Sequence, residues 1–283
     1  KLLHTSHIQN GKMLAFNRLL YLQNLELSVS MGLLTPLSLL ITDLDRTLVG
    51  NDESLHQLNQ LLDHYRQTRG TKIVYATGRS RGSYQDLTTT QQMLIPDALI
   101  AAVGTEIYVG ASDIPDPEWA TKLSLNWHRE KIVTICSQFA DLELQPLAEQ
   151  RPFKVSYYLS TSVVAAVLPQ LQELFKQHDL NVEVIYSGHK DLDILPHGGD
   201  KGTAVQFLRD RWQIDPTEAV VCGDSGNDIS LFKYGQERGI MVGNAHSELR
   251  LWHELHPIEH HYLAVSEYAT GILEGLKYFR FVA

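Results

Sequence analysis

The stretch LSLLITDLDRTLV, residues 37–49, decides the fold class of this chain. Its apolar run ends on two carboxylates one residue apart, Asp43 and Asp45, with Thr47 two residues further on. A short apolar run bounded by polar residues predicts a buried strand, and open α/β sheets bind their ligands at the carboxyl ends of strands. Alternate residues of an extended chain point the same way, so we expect both carboxylates to face one pocket. Two like charges this close require a cation, a shared proton or solvent.

Helix and strand patterns alternate after that stretch. Apolar residues at helical spacing follow over residues 54–70, and the segment KIVYATGRS (72–80) is predicted as a strand. A second helical segment (84–93) leads into ALIAAVGTEIYV (98–109), which is predicted as one further strand. Alternation at this spacing predicts parallel strands with right-handed crossovers. The predicted fold is therefore α/β, a doubly wound, mostly parallel, Rossmann-like sheet.

An inserted module interrupts this pattern. Residues 113–117 read DIPDP, which is a linker by composition, and the parallel pattern returns only near residue 196. We therefore predict a core formed by residues 37–112 and 196–283, with an α+β insert at 113–195, a usual size for a domain. Residues 1–36 do not resemble the rest, and we predict a peripheral extension there whose role the sequence leaves open.

Bulk composition excludes several classes of protein. The formal net charge of −9 argues against broad electrostatic binding of nucleic acid or of anionic membranes. Every apolar stretch is broken before 18 residues, so no membrane-spanning helix is indicated. The two cysteines, Cys136 and Cys222, are far apart in the sequence. They fit neither a disulfide framework nor a thiolate zinc site, and we expect a reducing, cytoplasmic compartment.

Polar clusters occur at or just after the ends of the predicted core elements. The clusters are Asp43, Asp45 and Thr47; Thr77, Gly78, Arg79 and Ser80; Lys201 in GGDKGTA; and Asp224 with Asp228 in GDSGND.

These clusters together indicate phosphoryl transfer. The carboxylates of Asp43, Asp45 and Asp224 are oxygen ligands suited to Mg²⁺. Lys201 supplies a point charge for an anionic oxygen, and Thr77 supplies a hydroxyl donor beside a glycine that admits close backbone approach. Phosphoryl transfer depends mostly on positioning and on neutralisation of charge. Each cluster alone has an ordinary alternative, such as a solvated turn or an exposed lysine.

The motifs resemble those of a known superfamily. DLDRT, ATGRS, the lysine of DKGTA and GDSGND are similar to the four motifs of the haloacid dehalogenase superfamily of phosphatases. The insert between the second and third motifs resembles that superfamily's C2 cap. The longer segments DLDRTLVG, EQRPFKVSYYL, SGHKDLDILP and VCGDSGNDISLF resemble the sucrose-phosphate phosphatases of cyanobacteria and plants. The resemblance covers residues 37–283.

This resemblance implies hydrolysis of sucrose 6-phosphate to sucrose and phosphate through an aspartyl-phosphate, the last step of sucrose synthesis. Asp43 would be the nucleophile. Asp45 would protonate the departing sugar oxygen and then deprotonate the attacking water. Thr77 and Lys201 would bind the phosphoryl oxygens.

The resemblance also implies a magnesium site and a set of substrate contacts. Mg²⁺ would be held by Asp43, the backbone carbonyl of Asp45 and Asp224, with Asp228 supporting these ligands from behind. Arg46 occupies a variable position of its motif and receives no role. For Lys154 and Ser156 the alternative of a half-exposed strand face stays open. The predicted substrate-binding residues are Thr77, Gly78, Arg79, Glu149, Gln150, Lys154, Ser156, Lys190, Asp191, Lys201, Ser225 and Asn227.

Other functions remain open at this point. The same chemistry suits another glycosyl phosphate, such as glucosylglycerol phosphate. A non-catalytic sugar-phosphate-binding module attached to a synthase is a different class of protein, although the complete set of carboxylates argues against it. A receiver domain has no place for an inserted cap. We expect a monomer, with a sucrose-phosphate synthase as the one protein partner considered.

Thirteen histidines raise the question of a histidine metal site. His256, His260 and His261 lie closest together, but they form no clear i, i+4 pairing with an acid. We predict a surface loop for this segment.

Overall fold

The computed structural model describes residues 34–282, so the predicted extension at residues 1–36 lies almost wholly outside the described part. The strands are β1 (Leu39–Thr42), β2 (Lys72–Ala76), β3 (Ala98–Ala101), β4 (Glu106–Val109), β5 (Glu143–Leu144), β6 (Val155–Tyr158), β7 (Val182–Ser187), β8 (Asp191–Pro196), β9 (Ala219–Gly223), β10 (Arg238–Met241) and β11 (His261–Leu263). The α-helices are α1 (Asp52–Arg69), α2 (Arg81–Thr90), α3 (Pro117–Ser124), α4 (Arg129–Cys136), α5 (Thr161–Gln177), α6 (Lys201–Trp212), α7 (Ile229–Lys233), α8 (Ser247–Leu255) and α9 (Tyr268–Tyr278). None of the described helices has both the length and the apolar composition that crossing a membrane requires.

Strand β1 is the central strand of the larger sheet. Its strand order is β11-β10-β9-β1-β2-β3-β4, and all neighbours are parallel except β3 and β4. The chain therefore builds outward from β1 in one direction before residue 110 and in the other after residue 196. Such a reversal opens a crevice at the carboxyl ends of the strands. The predicted doubly wound α/β fold is confirmed.

The apolar run of β1 is explained by burial on both faces. Leu40 packs in one core cluster together with Leu58 of α1 and Ile272 of α9. Leu39 and Ile41 belong to a second cluster, with α6 and α8 on the opposite face. Because alternate side chains of a strand point to opposite faces, a strand between two helix layers forms a nearly continuous apolar run.

The predicted single strand over residues 98–109 is wrong. The chain forms two antiparallel strands, β3 and β4, joined by a tight turn in which Ala102 and Val103 have φ of 51° and 62°. Within that turn Gly104 passes so close to Asp200 that a Cβ would lie 2.2 Å from the backbone carbon of that residue. The sequence hides this reversal because residues 98–108 are all buried, whichever way the chain turns.

The smaller sheet is antiparallel, with the order β5-β6-β8-β7. Its apolar face, including Val155 and Ile194, packs on α4 and α5 around Ile132, Leu171 and Phe175. Helix α3 does not join this cluster, although it lies in the predicted insert. Its buried residues Trp119 and Leu123 pack against the larger sheet, and the Trp119 indole donates a hydrogen bond to the Gly104 carbonyl at 3.0 Å.

The predicted surface loop at the late histidines is wrong for His261. This residue begins β11 and is 8% exposed, with Phe232 edge-on to its ring. Burial, reinforced by His260 and His253, lowers the pKa of His261 to about 3. His261 is therefore neutral in the folded chain over the physiological range of pH.

A buried neutral histidine makes folding pH-dependent. Because the pKa of His261 rises from about 3 to an ordinary value of 6.5 on unfolding, the unfolded chain binds the extra proton below pH 6.5. We expect this residue to lower the free energy of unfolding by about 2 kcal/mol between pH 7 and pH 5. His261→Phe should remove that part of the decrease, as measured by urea unfolding at the two pH values. His128→Phe, at an exposed position, should retain it, and an equal decrease in His261→Phe and the unchanged chain would contradict the assignment.

Candidate active site

A cleft of about 530 Å³ lies between the carboxyl ends of the larger sheet and the smaller sheet. That volume is within the range of small-molecule sites, about 300–1,000 Å³. Residues that follow β1, β2 and β9 form one wall, and the smaller sheet with its β7–β8 turn forms the other. The predicted residues that line the cleft are Asp43, Asp45, Gly78, Arg79, Glu149, Lys154, Lys190, Asp191, Asp224, Ser225 and Asn227.

At the floor of the cleft, Asp43 is paired with a fully buried lysine. Lys201 Nζ lies 2.7 Å from Asp43 Oδ1 and 2.7 Å from Asp228 Oδ1. Lys201 and Asp228 are both 0% exposed. Although burial opposes it, the two carboxylates raise the pKa of Lys201, so the ammonium remains charged. Within the described residues no hydrogen bond reaches Asp43 Oδ2, which leaves this oxygen available to the cleft.

Asp228 holds the loop that carries Asp224. Its Oδ2 accepts hydrogen bonds from the backbone amides of Asp224 and Ser225, at 3.0 and 3.1 Å. Gly223 makes room for it, because a Cβ at that position would lie 2.5 Å from the Asp228 Cβ. The GDSGND motif therefore aims the Asp224 carboxylate at Asp43.

The three buried carboxylates form a candidate metal centre. One oxygen of each of Asp43, Asp224 and Asp228 lies within 4.8 Å of the others. Burial raises the pKa of Asp43 to about 7, against the attraction of Lys201. Burial, with the neighbouring charges of Asp43 and Asp228, raises the pKa of Asp224 to about 8. A divalent cation would remove this electrostatic cost.

The carboxylate oxygens that remain free at this centre indicate which cation it would bind. Asp224 Oδ2 is buried and accepts no hydrogen bond from a described residue; Arg46 Nε, 3.4 Å away, is a nearby cation. Asp228 already uses both oxygens for Lys201 and the two amides, so Asp43 and Asp224 are the carboxylates left to bind directly. Two carboxylates, with coordination positions left for water and a substrate phosphate, are the pattern of Mg²⁺. These residues fit the predicted ion.

Asp45 faces the cleft beside an arginine. Arg79 Nε and Nη2 each lie 2.7 Å from an oxygen of Asp45, a bidentate geometry that fixes the carboxylate. Arg79 is itself held by the hydroxyl of Ser83, at 2.9 Å. Attraction to Asp45 raises the pKa of Arg79. The sequence predicts both partners at the site without predicting their contact.

Several predicted residues lie behind the cleft walls. Thr77 is fully buried, and its Oγ1 accepts the Arg79 amide at 3.1 Å, which leaves the hydroxyl proton free to donate. The Gln150 side chain bonds the backbone of Gln145 and Ser156 and closes its own loop. The predicted residues that do not line the cleft are Thr77, Gln150, Ser156, Lys201 and Asp228.

The wall formed by the smaller sheet is polar. Lys154, 2% exposed, lies with its Nζ 3.1 Å from Asp193 Oδ1, and Ser156 donates to the same oxygen at 2.6 Å. Gln145 donates to Asp191 at 2.9 Å, and burial raises the pKa of Asp191. A half-exposed strand face is therefore wrong for Lys154 and Ser156, which are both buried. Of these residues, Gln145, Lys154, Asp191 and Asp193 line the cleft, where they can hydrogen-bond the hydroxyls of a sugar.

Sequence reasoning missed further lining residues. Arg46, which received no role, has a φ of 64°, and this turn brings its guanidinium beside Asp224. Its main-chain carbonyl accepts from the Asn244 side chain at 2.7 Å. Asp193 could have been found by its alternation with Asp191 on β8, whereas His246 and the turn residues carry no local motif. The residues missed are Arg46, Ser83, Gln145, Tyr158, Ser187, Gly188, Asp193 and His246.

Comparison with known proteins gives consistent similarities. The sequence profile of the sucrose-6F-phosphate phosphohydrolase family matches residues 36–280. A probable sucrose-phosphatase 2 of Arabidopsis thaliana is 37% identical over 255 residues, which cover 87% of this chain and 60% of that protein. A mannosylfructose-phosphate phosphatase of Agrobacterium fabrum is 30% identical over 244 residues, covering 86% and 97%. The chain thus spans about three fifths of the length of the Arabidopsis protein.

A solved structure is similar over nearly the same region. The X-ray structure of the sucrose-phosphatase of Synechocystis sp. PCC6803, in complex with sucrose and phosphate, superposes with a TM-score of 0.82. It is 39% identical, and the match covers 88% of this chain and 100% of that one.

Proposed function

Because the chain belongs to the sucrose-6F-phosphate phosphohydrolase family, we propose that it is a magnesium-dependent phosphatase that hydrolyses sucrose 6-phosphate to sucrose and phosphate. This membership confirms the resemblance inferred from the motifs. The observation that carries the proposal is the position of Asp43 and Asp224, whose donor atoms lie within 4.8 Å at the floor of a cleft with a polar opposite wall. A carboxylate nucleophile and a sugar-sized polar chamber meet there.

The residues of the cleft divide the chemistry between them. Asp43 Oδ2 attacks phosphorus, the bond from phosphorus to the sugar oxygen breaks, and Asp45 gives that oxygen its proton. Water then attacks the aspartyl-phosphate, Asp45 takes the water proton, and phosphate leaves with Asp43 restored. Lys201 holds Asp43 in place and, with the Thr77 hydroxyl, balances charge on the phosphoryl oxygens. Mg²⁺ bound by Asp43, Asp224 and the backbone carbonyl of Asp45 would supply further neutralisation of that charge.

The insert at residues 113–195 is proposed as the cap that selects the sugar. Glu149, Lys154, Lys190 and Asp191 lie on the wall opposite the nucleophile, where they can bond sugar hydroxyls. A sucrose-phosphate synthase remains the proposed protein partner, and a monomer the proposed state. We place the enzyme in the cytoplasm, which is supported by two buried, unbridged cysteines.

A second candidate is a phosphatase for another glycosyl phosphate. Similarity to the mannosylfructose-phosphate phosphatase, which extends over 97% of that protein, favours this alternative. The chemistry is the same, and only the contacts on the cap wall would differ.

Phosphate release from a panel of sugar phosphates tests the proposal. The panel contains sucrose 6-phosphate, mannosylfructose phosphate, glucosylglycerol phosphate and fructose 6-phosphate, each with Mg²⁺. We expect kcat/KM for sucrose 6-phosphate to exceed that for fructose 6-phosphate at least about 100-fold, because buried polar groups reject a ligand that leaves them unpaired. EDTA should abolish turnover, and Mg²⁺ added in excess should restore it.

The panel also separates the candidates. If mannosylfructose phosphate or glucosylglycerol phosphate is turned over faster than sucrose 6-phosphate, the proposed substrate is wrong but the proposed mechanism stands. Full activity after EDTA treatment and gel filtration would overturn the metal requirement.

A further inference from the structure

A second group of potential metal ligands lies beside the cleft. His189, His246 and Glu248 each place one donor atom within 4.8 Å of the others. The rings of His189 and His246 meet edge to face, with centroids 5.4 Å apart. Proximity of two imidazoles and one carboxylate is not needed for phosphoester hydrolysis, and the proposed mechanism gives these three residues no step.

The three residues come from opposite sides of the cleft. His189 lies in the turn between β7 and β8, where Gly188 and His189 have φ of 59° and 61° and Lys190 donates back to Ser187. Two successive positive φ values are those of a tight hairpin turn, and the Gly188 amide of this turn donates to Glu248 of α8. His246 and Glu248 lie at the start of α8, against the larger sheet.

The β7–β8 turn lies close to α8, and one carboxylate oxygen at this contact lacks a hydrogen-bond partner among the described residues. Glu248 Oε1 accepts the Gly188 amide at 3.2 Å. Glu248 Oε2 is buried and has no hydrogen-bond partner among the described residues, and His189 Nε2 lies 3.9 Å from it. Nearby, Gly226 admits the carbonyl of Tyr186, which a Cβ would approach to 2.7 Å. A carboxylate oxygen without a donor, facing two imidazoles, is suited to a shared cation.

We propose that His189, His246 and Glu248 form a second metal site, which binds a borderline divalent transition-metal ion such as Zn²⁺. Two imidazoles and one carboxylate, with a fourth position open to water, are a common zinc ligand set. Zinc needs donor atoms about 3.4 Å apart for tetrahedral bonds of about 2.05 Å. His189 is 54% exposed at its side chain, so rotation of this side chain can close the remaining distance.

The two metal sites select different ions. The floor of the cleft offers carboxylate oxygens, which suit Mg²⁺, whereas imidazole nitrogens suit Zn²⁺ and related ions and are poor ligands for Mg²⁺. The two sites are neighbours, since His246 Nε2 lies 3.8 Å from Asp224 Oδ2. Because the two sites offer different kinds of ligand, we expect zinc to bind while Mg²⁺ is in place.

Occupancy of this site would restrain opening of the cleft. A metal bound by His189 on one side, and by His246 and Glu248 on the other, joins the β7–β8 turn to α8. Modules that cover an active site commonly open for substrate entry and product release, and we expect the same of these two walls. Bound zinc would therefore hold the cleft closed and inhibit turnover, and a zinc-selective chelator would reverse the inhibition. We refer to this zinc-linked contact between the β7–β8 turn and α8 as the clasp.

Zinc titration in the presence of saturating Mg²⁺ tests the site independently of the proposed phosphatase activity. Calorimetry with the full chain should show one zinc ion bound per chain, and Co²⁺ as a probe should give the visible absorption of a tetrahedral nitrogen–oxygen site. His189→Ala and Glu248→Gln should each weaken zinc binding at least about 10-fold, since even indirect partners of a metal contribute 10- to 100-fold. His128→Ala, at an exposed histidine of the smaller-sheet module, should bind zinc like the unchanged chain.

Measurements of phosphatase turnover test whether zinc bound at the clasp inhibits the enzyme. Zinc should lower kcat in a way that excess Mg²⁺ does not relieve, and His189→Ala, which does not line the cleft, should keep its basal turnover and lose the inhibition. Unweakened zinc binding in both ligand variants, or zinc binding that Mg²⁺ competes away, would overturn the second site. Zinc binding without inhibition would overturn the clasp. Absent turnover of sugar phosphates with intact zinc binding would instead count against the proposed function.

Discussion

Asp43→Asn is expected to lower kcat for sucrose 6-phosphate by a factor of about 10⁴ or more, as loss of a nucleophile does in other hydrolases. An amide has no negative oxygen with which to attack phosphorus. Lys201 keeps its second partner, Asp228, at 2.7 Å, so the floor of the cleft should stay assembled. Because burial raises the pKa of Asp43 to about 7, removing this charge should not weaken the fold.

Trapping of the covalent intermediate separates a nucleophile from a mere metal ligand. Rapid acid quenching with labelled substrate should yield a phosphoprotein that hydroxylamine cleaves, and Asp43→Asn should yield none. Asp141→Asn makes the same chemical change at an exposed carboxylate and should retain both turnover and trapping. Equal background rates in Asp43→Asn and the unchanged chain would favour a non-catalytic sugar-phosphate-binding module.

Asp45→Asn should lower kcat for sucrose 6-phosphate by about 10²- to 10⁴-fold, the usual contribution of general acid–base catalysis. A sugar alkoxide is a poor leaving group and needs the proton, whereas p-nitrophenolate leaves without one. The variant should therefore form the phosphoenzyme from p-nitrophenyl phosphate and hydrolyse it slowly. We expect the time course to show a burst of about one p-nitrophenolate per chain, followed by a slow steady-state rate.

The dependence on the leaving group makes this test specific. Disruption of the Arg79 contacts to Asp45, at 2.7 Å each, would slow both substrates alike. Asp86→Asn, on the exposed part of α2, should resemble the unchanged chain with either substrate. Absence of the burst, with phosphoenzyme formation slowed as much for p-nitrophenyl phosphate as for sucrose 6-phosphate, would contradict the assignment of Asp45 as the acid.

Sequence patterns predict the fold where burial and local geometry agree. Strand β1 follows directly from its apolar run, and Gly70 ends α1 in the left-handed conformation that favours glycine, with φ of 73°. The β3–β4 hairpin is hidden, because its turn is buried and mostly apolar like the strands on either side. The sequence groups helix α3 with the insert, because sequence position alone does not reveal which sheet Trp119 packs against.

In the candidate site, too, some features can be predicted from the sequence and others cannot. Asp43, Asp224 and Lys201 sit in motifs whose strand or helix context places them at one edge of the sheet, so their convergence can be predicted. The pairing of Arg79 with Asp45, the buried Lys154–Asp193 contact and the approach of His189 to α8 depend on side-chain directions and turn geometry. Those arise from tertiary packing between distant segments, and no local pattern encodes them.

The strand order has a consequence for biosynthesis. Lys201 follows Asp43 by 158 residues, and β9, which completes the pairing of β1, follows later still. A nascent chain emerging from the ribosome therefore exposes its acidic pair without the lysine, and the apolar strand β1 with one unpaired edge. Unpaired edges invite association with other chains, so β1 is the segment that a chaperone would need to shield until residue 223 has emerged.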